Sequence, residues 1–246
     1  MVNSSSRFGS VLLFIAIFAL LGVVLTMFGA RFGLWEPIVG FGLIRTYLNP
    51  VGYGVISLGA LGLVYQLVTR NSAGAVKAAA ASLIGVGLLA PMIYGSIQPA
   101  KQFPPIHDIT TDTSHPPVFR VLDDSRAGAR NSLVYGGPEI AAEQRKAYPD
   151  IAPIQSSKPA SEAFAEALRV AKAMGWEIVA QDPSEMRLEA TARTSVYGFM
   201  DDVVVVVTPV DSASRVDIRS VSRIGRGDRG VNAARIRAFI KAFEGE

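Results

Sequence analysis

The chain has 246 residues, no cysteine and two histidines, which excludes disulfides, zinc-thiolate and iron–sulfur sites and cysteine nucleophiles. Its formal charge of +3 and pI of about 9.3 would suit nucleic acid if the charge were evenly spread. Five of the 24 basic residues and one of the 21 acidic ones precede Lys101, so the first hundred residues carry +4 and the remainder, with 19 basic and 20 acidic side chains, carries −1. The excess flanks apolar runs, where positive residues hold topology, and a nucleic-acid partner is set aside.

Three apolar runs without internal charge, about 8–30, 51–68 and 78–97, are each close to the roughly 20 residues that a helix needs to cross a bilayer core. They predict an integral, multi-pass membrane module over 1–98. The N-terminal tail and second loop hold Arg7, Arg70 and Lys77, and the connection between the first two runs holds Arg31 and Arg45 against Glu36. Positive-inside bias favours an inside N-terminus, and three crossings then place the C-terminal domain outside, periplasmic for a protein of the inner (cytoplasmic) membrane. The first loop, 32–48, apolar and Gly-rich, is expected to lie along the membrane surface. No acid, base or histidine falls inside a span, which argues for anchoring rather than ion transport. Small residues such as Ser57, Gly62, Ala79, Ala80 and Ala81 suit close packing of helices.

The remainder, 99–246, reads as one water-soluble domain. It opens with a proline-rich strap, 99–119, then a polar loop over 123–137. A short helix is predicted over 139–148, a strand over 151–154, and a helix over 161–174 whose apolar residues recur at helical spacing up to Gly175. Strands are predicted over 176–180, 186–192, 203–208 and 215–222, and an amphipathic helix over 233–243. Strand, helix, four strands, helix, with short connections, defines an α+β fold: an antiparallel sheet layer with helices on one face. The run Val203–Val207 is apolar at both parities, so its strand should be central and covered on both sides, the second cover coming from the strap, a second copy or the membrane.

Three strings in this domain carry a resemblance. They are Tyr-Gly-Phe-Met-Asp-Asp-Val at 197–203, Ser-Arg-Val-Asp-Ile-Arg-Ser at 214–220, and Ser-Arg-Ile-Gly-x-x-Asp-x-Gly-x-Asn-Ala-x-Arg-Ile at 222–236. With Ile-His-Asp-Ile-Thr-Thr-Asp at 106–112 and Pro116-Pro117, they resemble a family of bacterial and plastid proteins catalogued as a domain of unknown function. The resemblance covers nearly the whole soluble part. It implies a membrane-associated context and brings no reaction, ligand or cofactor with it.

The stretch 215–241 holds eight basic residues against Asp217 and Asp228. Arg219, Arg223, Arg226, Arg229 and Asn232 are the candidates for binding an anion, because a Gly-punctuated loop at a helix start offers free N–H groups and arginine adds planar donors. The favoured local reading is structural: Asp228 caps the helix and the arginines pair with the domain's own carboxylates. Asp201 and Asp202, adjacent on a strand, point to opposite faces and cannot flank one bond, so they and Asp217 are expected in ion pairs or caps, the one of 201 and 202 that faces the core side pairing with Arg193, Arg219 or Arg223. His107, Asp108, Asp112 and His115 have metal-ligand chemistry, but their spacing matches no metal motif and exposed or hydrogen-bonded histidines are favoured. No catalytic residue is assigned, since a Ser-His-Asp site would need the strap to fold back over Ser125, Ser132 or Ser195. No cofactor is called for. The leading expectation is a non-enzymatic, membrane-anchored envelope protein whose domain binds an anionic lipid or a membrane-protein partner. The alternatives are a metal-dependent or hydrolytic enzyme using the juxtamembrane His/Asp cluster, and a scaffold subunit of a membrane complex.

Overall fold

The computed structural model describes residues 4–97 and 103–245. The start of the expected strap, 99–102, lies outside the described residues. The chain divides into two compact units, Met1–Lys101 with Ser195–Gly198, and Gln102–Thr194 with Phe199–Glu246.

The first unit is helical. Helix α1 (Ser4–Phe28) leads through a 3-10 turn (Gly29–Phe32) into α2 (Pro37–Val68), and α3 (Ser72–Leu88) is followed by the short α4 (Ala90–Ile97). Two helices are long and apolar enough to cross a membrane, or three if the bent pair α3 and α4 forms one span. The helices differ from the apolar runs in two respects. Helix α2 has 32 residues and begins at Pro37, so most of the segment expected to lie along the surface is helical and Arg45 and Pro50 fall inside the helix. Proline at a helix start has its φ preset and loses only an N–H that would be unpaired anyway. The last run is also bent, by 50° between Leu88 and Ala90, next to Pro91, which has no N–H for the preceding turn.

These helices pack through glycine. A Cβ on Gly9 would lie 2.8 Å from the Gly74 carbonyl oxygen, and one on Gly85 would lie 2.7 Å from Ile56 Cγ1. Leu12 and Ala16 of α1, Val55 of α2 and Ala78 and Ala81 of α3 are buried where the helices meet. In an apolar solvent such close approach supplies the attraction that the hydrophobic effect cannot.

The second unit is a six-stranded antiparallel sheet with helices. Its elements are β1 (Asp108–Thr110), α5 (Gly137–Ala147), β2 (Ile154–Ser156), α6 (Ala160–Ala173), β3 (Glu177–Asp182), β4 (Arg187–Arg193), β5 (Met200–Val210), β6 (Ala213–Ser222) and α7 (Val231–Glu244). The order is β1-β6-β5-β4-β3, with β2 also on β6. There is thus one strand more than the sequence pattern predicts. Part of the strap is β1, pairing Asp108 with Val221 and Thr110 with Arg219, while β2 pairs Ile154 with Val216 further along the same edge. The outer edge of β1 is closed by Gln144 of α5, whose amide donates to the Thr110 carbonyl at 2.6 Å and accepts from its N–H at 3.0 Å. A buried edge left unpaired would be costly, and this glutamine stands in for a strand.

Alternation along the strands sorts the two faces. Leu188, Ala190, Val203, Val205, Val207, Val216 and Ile218 pack with Phe164 and Val170 of α6 and Ile236 and Phe239 of α7, where Trp176 stacks on Phe239 at 5.5 Å. Val204 and Val221 face the other way, under Phe119 and Leu133. The second cover of the central strand is therefore the strap and the loop that follows it.

Candidate functional site

The strap-side face of the sheet is charged. Cross-strand register sets Glu189, Val204 and Arg219 in one row and Thr191, Asp202 and Val221 in the next. Arg219 is 1 % exposed. Its Nε donates to Asp108 Oδ1 at 2.9 Å and its Nη2 to Asp108 Oδ2 at 2.7 Å, with further bonds to the carbonyls of Pro117 and Leu133. Its guanidinium also lies against the rings of Phe119 and Tyr135, 5.5 and 5.3 Å from their centroids. Burial, together with the Asp108 charge, pushes the Tyr135 hydroxyl up to about 12. A buried guanidinium is tolerable only when its donors are filled, and here the partners that fill them tie β6 to β1 and to both ends of the covering loop.

Asp202 is fully buried. It accepts from Arg223 Nη2 at 2.8 Å, Arg126 Nε at 2.5 Å and Thr191 Oγ1 at 3.1 Å. Arg223 also reaches the Ala127 carbonyl, and Arg126 the Asn131 carbonyl. The covering loop is pinned a third time at Glu189, whose carboxylate accepts the backbone N–H groups of Arg120, Val121 and Leu122. Asp217 takes Arg215 Nε at 2.8 Å and the Thr111 hydroxyl at 3.0 Å.

Asp201, one residue from Asp202, faces the helices and meets Arg235 of α7 at 2.5 Å. Burial pushes its carboxyl up, while the Arg235 charge and a hydrogen bond from Ser222 pull the other way. Beside this pair Asn232 joins four neighbours. Its amide donates to the His107 carbonyl and to Ser222 Oγ, and its Oδ1 accepts from Ser220 Oγ and Arg235.

The loop between β6 and α7 turns on Gly225 (φ 98°), Arg229 (φ 55°) and Gly230 (φ 83°). At Gly230 the left-handed backbone favours glycine, and a Cβ would also strike the Phe103 ring. The Asp228 carboxylate accepts from Gly230 N at 2.8 Å and Asn232 N at 2.7 Å, so it occupies the donors at the start of α7. Arg226 and Arg229 are exposed, and neither guanidinium makes a hydrogen bond or ion pair among the described residues. Of the five residues singled out for anion binding, Arg219, Arg223 and Asn232 thus lie inside the domain with their donors filled, and two stand outside.

The strap histidines and acids are brought into separate settings. Asp108 holds Arg219. Asp112 accepts from the N–H groups of Ser114 and His115 and from Arg215 Nη2. Burial opposes its ionisation, but these bonds outweigh burial and hold the carboxyl below the usual range. His107 Nδ1 lies 3.4 Å from the Arg226 carbonyl oxygen, and His115 is open to solvent. Among the described residues no group of three His, Asp or Glu side chains is placed to hold a metal. The hydroxyls of Ser125 and Ser132 are bonded to Asp123 and Asp124. Sequence reasoning missed Arg126 and Arg235, whose partners lie 76 and 34 residues away, and Glu189, whose partners are backbone.

These features define a class: an antiparallel α+β domain whose strap is locked by buried arginine–carboxylate pairs, in one chain with apolar helices of membrane-spanning length. Residues 108–243 match the model of the family described as "Protein of unknown function (DUF1499)", and the chain belongs to that family. No curated protein matches it.

Proposed function

We propose that this is a non-catalytic, membrane-anchored binding protein of the cell envelope, which recruits anionic lipid headgroups at the loop carrying Arg226 and Arg229. The observation that carries the reading is the contrast within 215–241. Arg215, Arg219, Arg223, Arg235 and Arg237 are held by the domain's own carboxylates, while Arg226 and Arg229 are left facing solvent. Their charge is thus available to a partner, and a solvated arginine near an anionic surface adds affinity that is screened by salt.

In the same reading α1, α2 and the bent pair α3–α4 each cross the cytoplasmic membrane, and the C-terminal domain is periplasmic. Three basic residues support an inside N-terminus. Lys77 Nζ donates to Ser10 Oγ at 2.8 Å and Phe8 packs edge-on to Tyr65, so Arg7, Arg70 and Lys77 gather at one end of the helical unit.

The test is native mass spectrometry of the full-length protein in detergent, titrated in parallel with phosphatidylglycerol and phosphatidylcholine. Preferential retention of phosphatidylglycerol, reduced by salt, is the expected result. Equal retention of both lipids overturns the lipid reading, and a co-purifying protein in their place identifies a protein partner instead.

A further inference from the structure

The covering loop leaves part of the sheet open. Between the strap and the ends of β4, β5 and β6 lies a cleft of about 460 Å³, with Val206 and Thr208 on its floor and Pro116, Pro117 and Val118 along one wall. That volume falls within the usual size of a small-molecule site, and the mixture of an apolar floor with a few polar groups is the usual composition of one.

The charges in the cleft are unequally matched. On the β6 side Arg215 is bonded to both Asp112 and Asp217, and those acids are filled further by Ser114, His115 and Thr111. Arg120, just after the strap, is paired with Glu185. Arg187 of β4 is different. Its one hydrogen bond among the described residues goes to the Val118 carbonyl. The nearest carboxylate, Glu189, stands at 4.0 Å and is already occupied by three backbone N–H groups. The Arg187 side chain is nonetheless 13 % exposed, and burial, with the like charge of Arg120 close by, pushes its guanidinium below its ordinary value. A largely desolvated cation with most of its donors unspent favours an anion beside it. Thr208, two residues from Val206 on the same face of β5, adds a hydroxyl with no partner among the described residues.

We infer that the cleft binds a small molecule bearing one oxyanion group, a carboxylate or a phosphate, on an apolar body. The oxyanion meets Arg187 and the body lies on Val206 against the Pro116–Val118 wall. A cation is disfavoured because the cleft lining holds three arginines, Arg120, Arg187 and Arg215, against two aspartates, Asp112 and Asp217. The site is separate from the loop that carries Arg226 and Arg229, and its ligand needs no membrane.

The experiment is calorimetric titration of the full-length protein in detergent with phenyl phosphate, benzoate and the neutral benzyl alcohol. Saturable binding of one or both anions at one site per chain, without binding of benzyl alcohol, is expected, and the stronger anion distinguishes phosphate from carboxylate. Arg187→Gln should weaken that binding about tenfold or more, the usual scale for loss of a charge-assisted hydrogen bond. Thr208→Asp sets a negative charge in the cleft from an exposed strand position and should weaken it similarly, and it decides the matter if Arg187→Gln lowers the unfolding midpoint. Arg169→Ala, which removes an exposed arginine paired with Glu166 on α6, should bind as the parent does. Failure of both anions to saturate, equal binding of benzyl alcohol, or parent-like binding by a folded Arg187→Gln and by Thr208→Asp overturns the inference.

Discussion

Asp202 shows how much one residue can be asked to hold. Its carboxylate is fully buried and accepts from two guanidinium groups, Arg223 from the end of β6 and Arg126 from the covering loop, the second shared with Asp124. Removing one partner of a buried pair leaves an uncompensated charge, so Asp202→Ala should cost about 3 kcal/mol or more in a denaturant unfolding experiment. A variant that unfolds with the parent contradicts a structural role. That adjacent acids at 201 and 202 serve opposite faces follows from strand alternation alone. The identity of their partners does not, because Arg126 and Arg235 come from a loop and a helix whose approach to β5 leaves no local trace in the sequence.

At the scale of elements, the strap behaves as a part of the sheet. It contributes β1, covers Val204 and Val221 through Phe119, and is tied down at Asp112, Asp108 and Glu189. Because the Asp112 carboxyl is held below its ordinary 3.8, its contribution is present above that value and lost as pH falls through the lower folded one. Asp112→Asn should therefore melt below the parent at neutral pH, and thermal scans should show the gap closing on acidification; a gap of constant size would contradict this. The helices and the four long strands were legible because burial on one face imposes a period on the sequence. The short strands β1 and β2 were harder. Each has three residues, too few for a pattern, and both exist through pairing with β6 across 58 to 113 positions of chain. Proline marked the strap as extended, and what extended chain pairs with is a tertiary matter. The early start of α2 was hidden for a similar reason: Arg45 falls in the expected loop and Pro50 just before the expected span, yet neither prevents the helix.

For the whole molecule, the proposed topology depends on whether α3 and α4 cross as one bent span. If they do, alkaline phosphatase fused after Glu246 should be active in a bacterial host. Activity of a cytoplasmic reporter at that position would contradict this topology, through a bent pair that returns to the side it entered from or an N-terminus on the outside. The family resemblance could be read from the 222–236 string, and the structure gives a reason for that string's composition. Ser222, Arg223, Asp228, Gly230, Asn232 and Arg235 each fill a defined place in the junction between β6 and α7. These six residues of the string thus hold that junction together. Arg226 and Arg229 stand in the same loop without such a place, and the binding proposal rests on them. Its most direct test is the double variant Arg226→Ala/Arg229→Ala, compared with the parent for both its unfolding midpoint and its retention of phosphatidylglycerol in native mass spectrometry. The account predicts an unchanged midpoint and a loss of lipid affinity of about 1 kcal/mol per removed charge. Undiminished lipid retention in a folded double variant would contradict it.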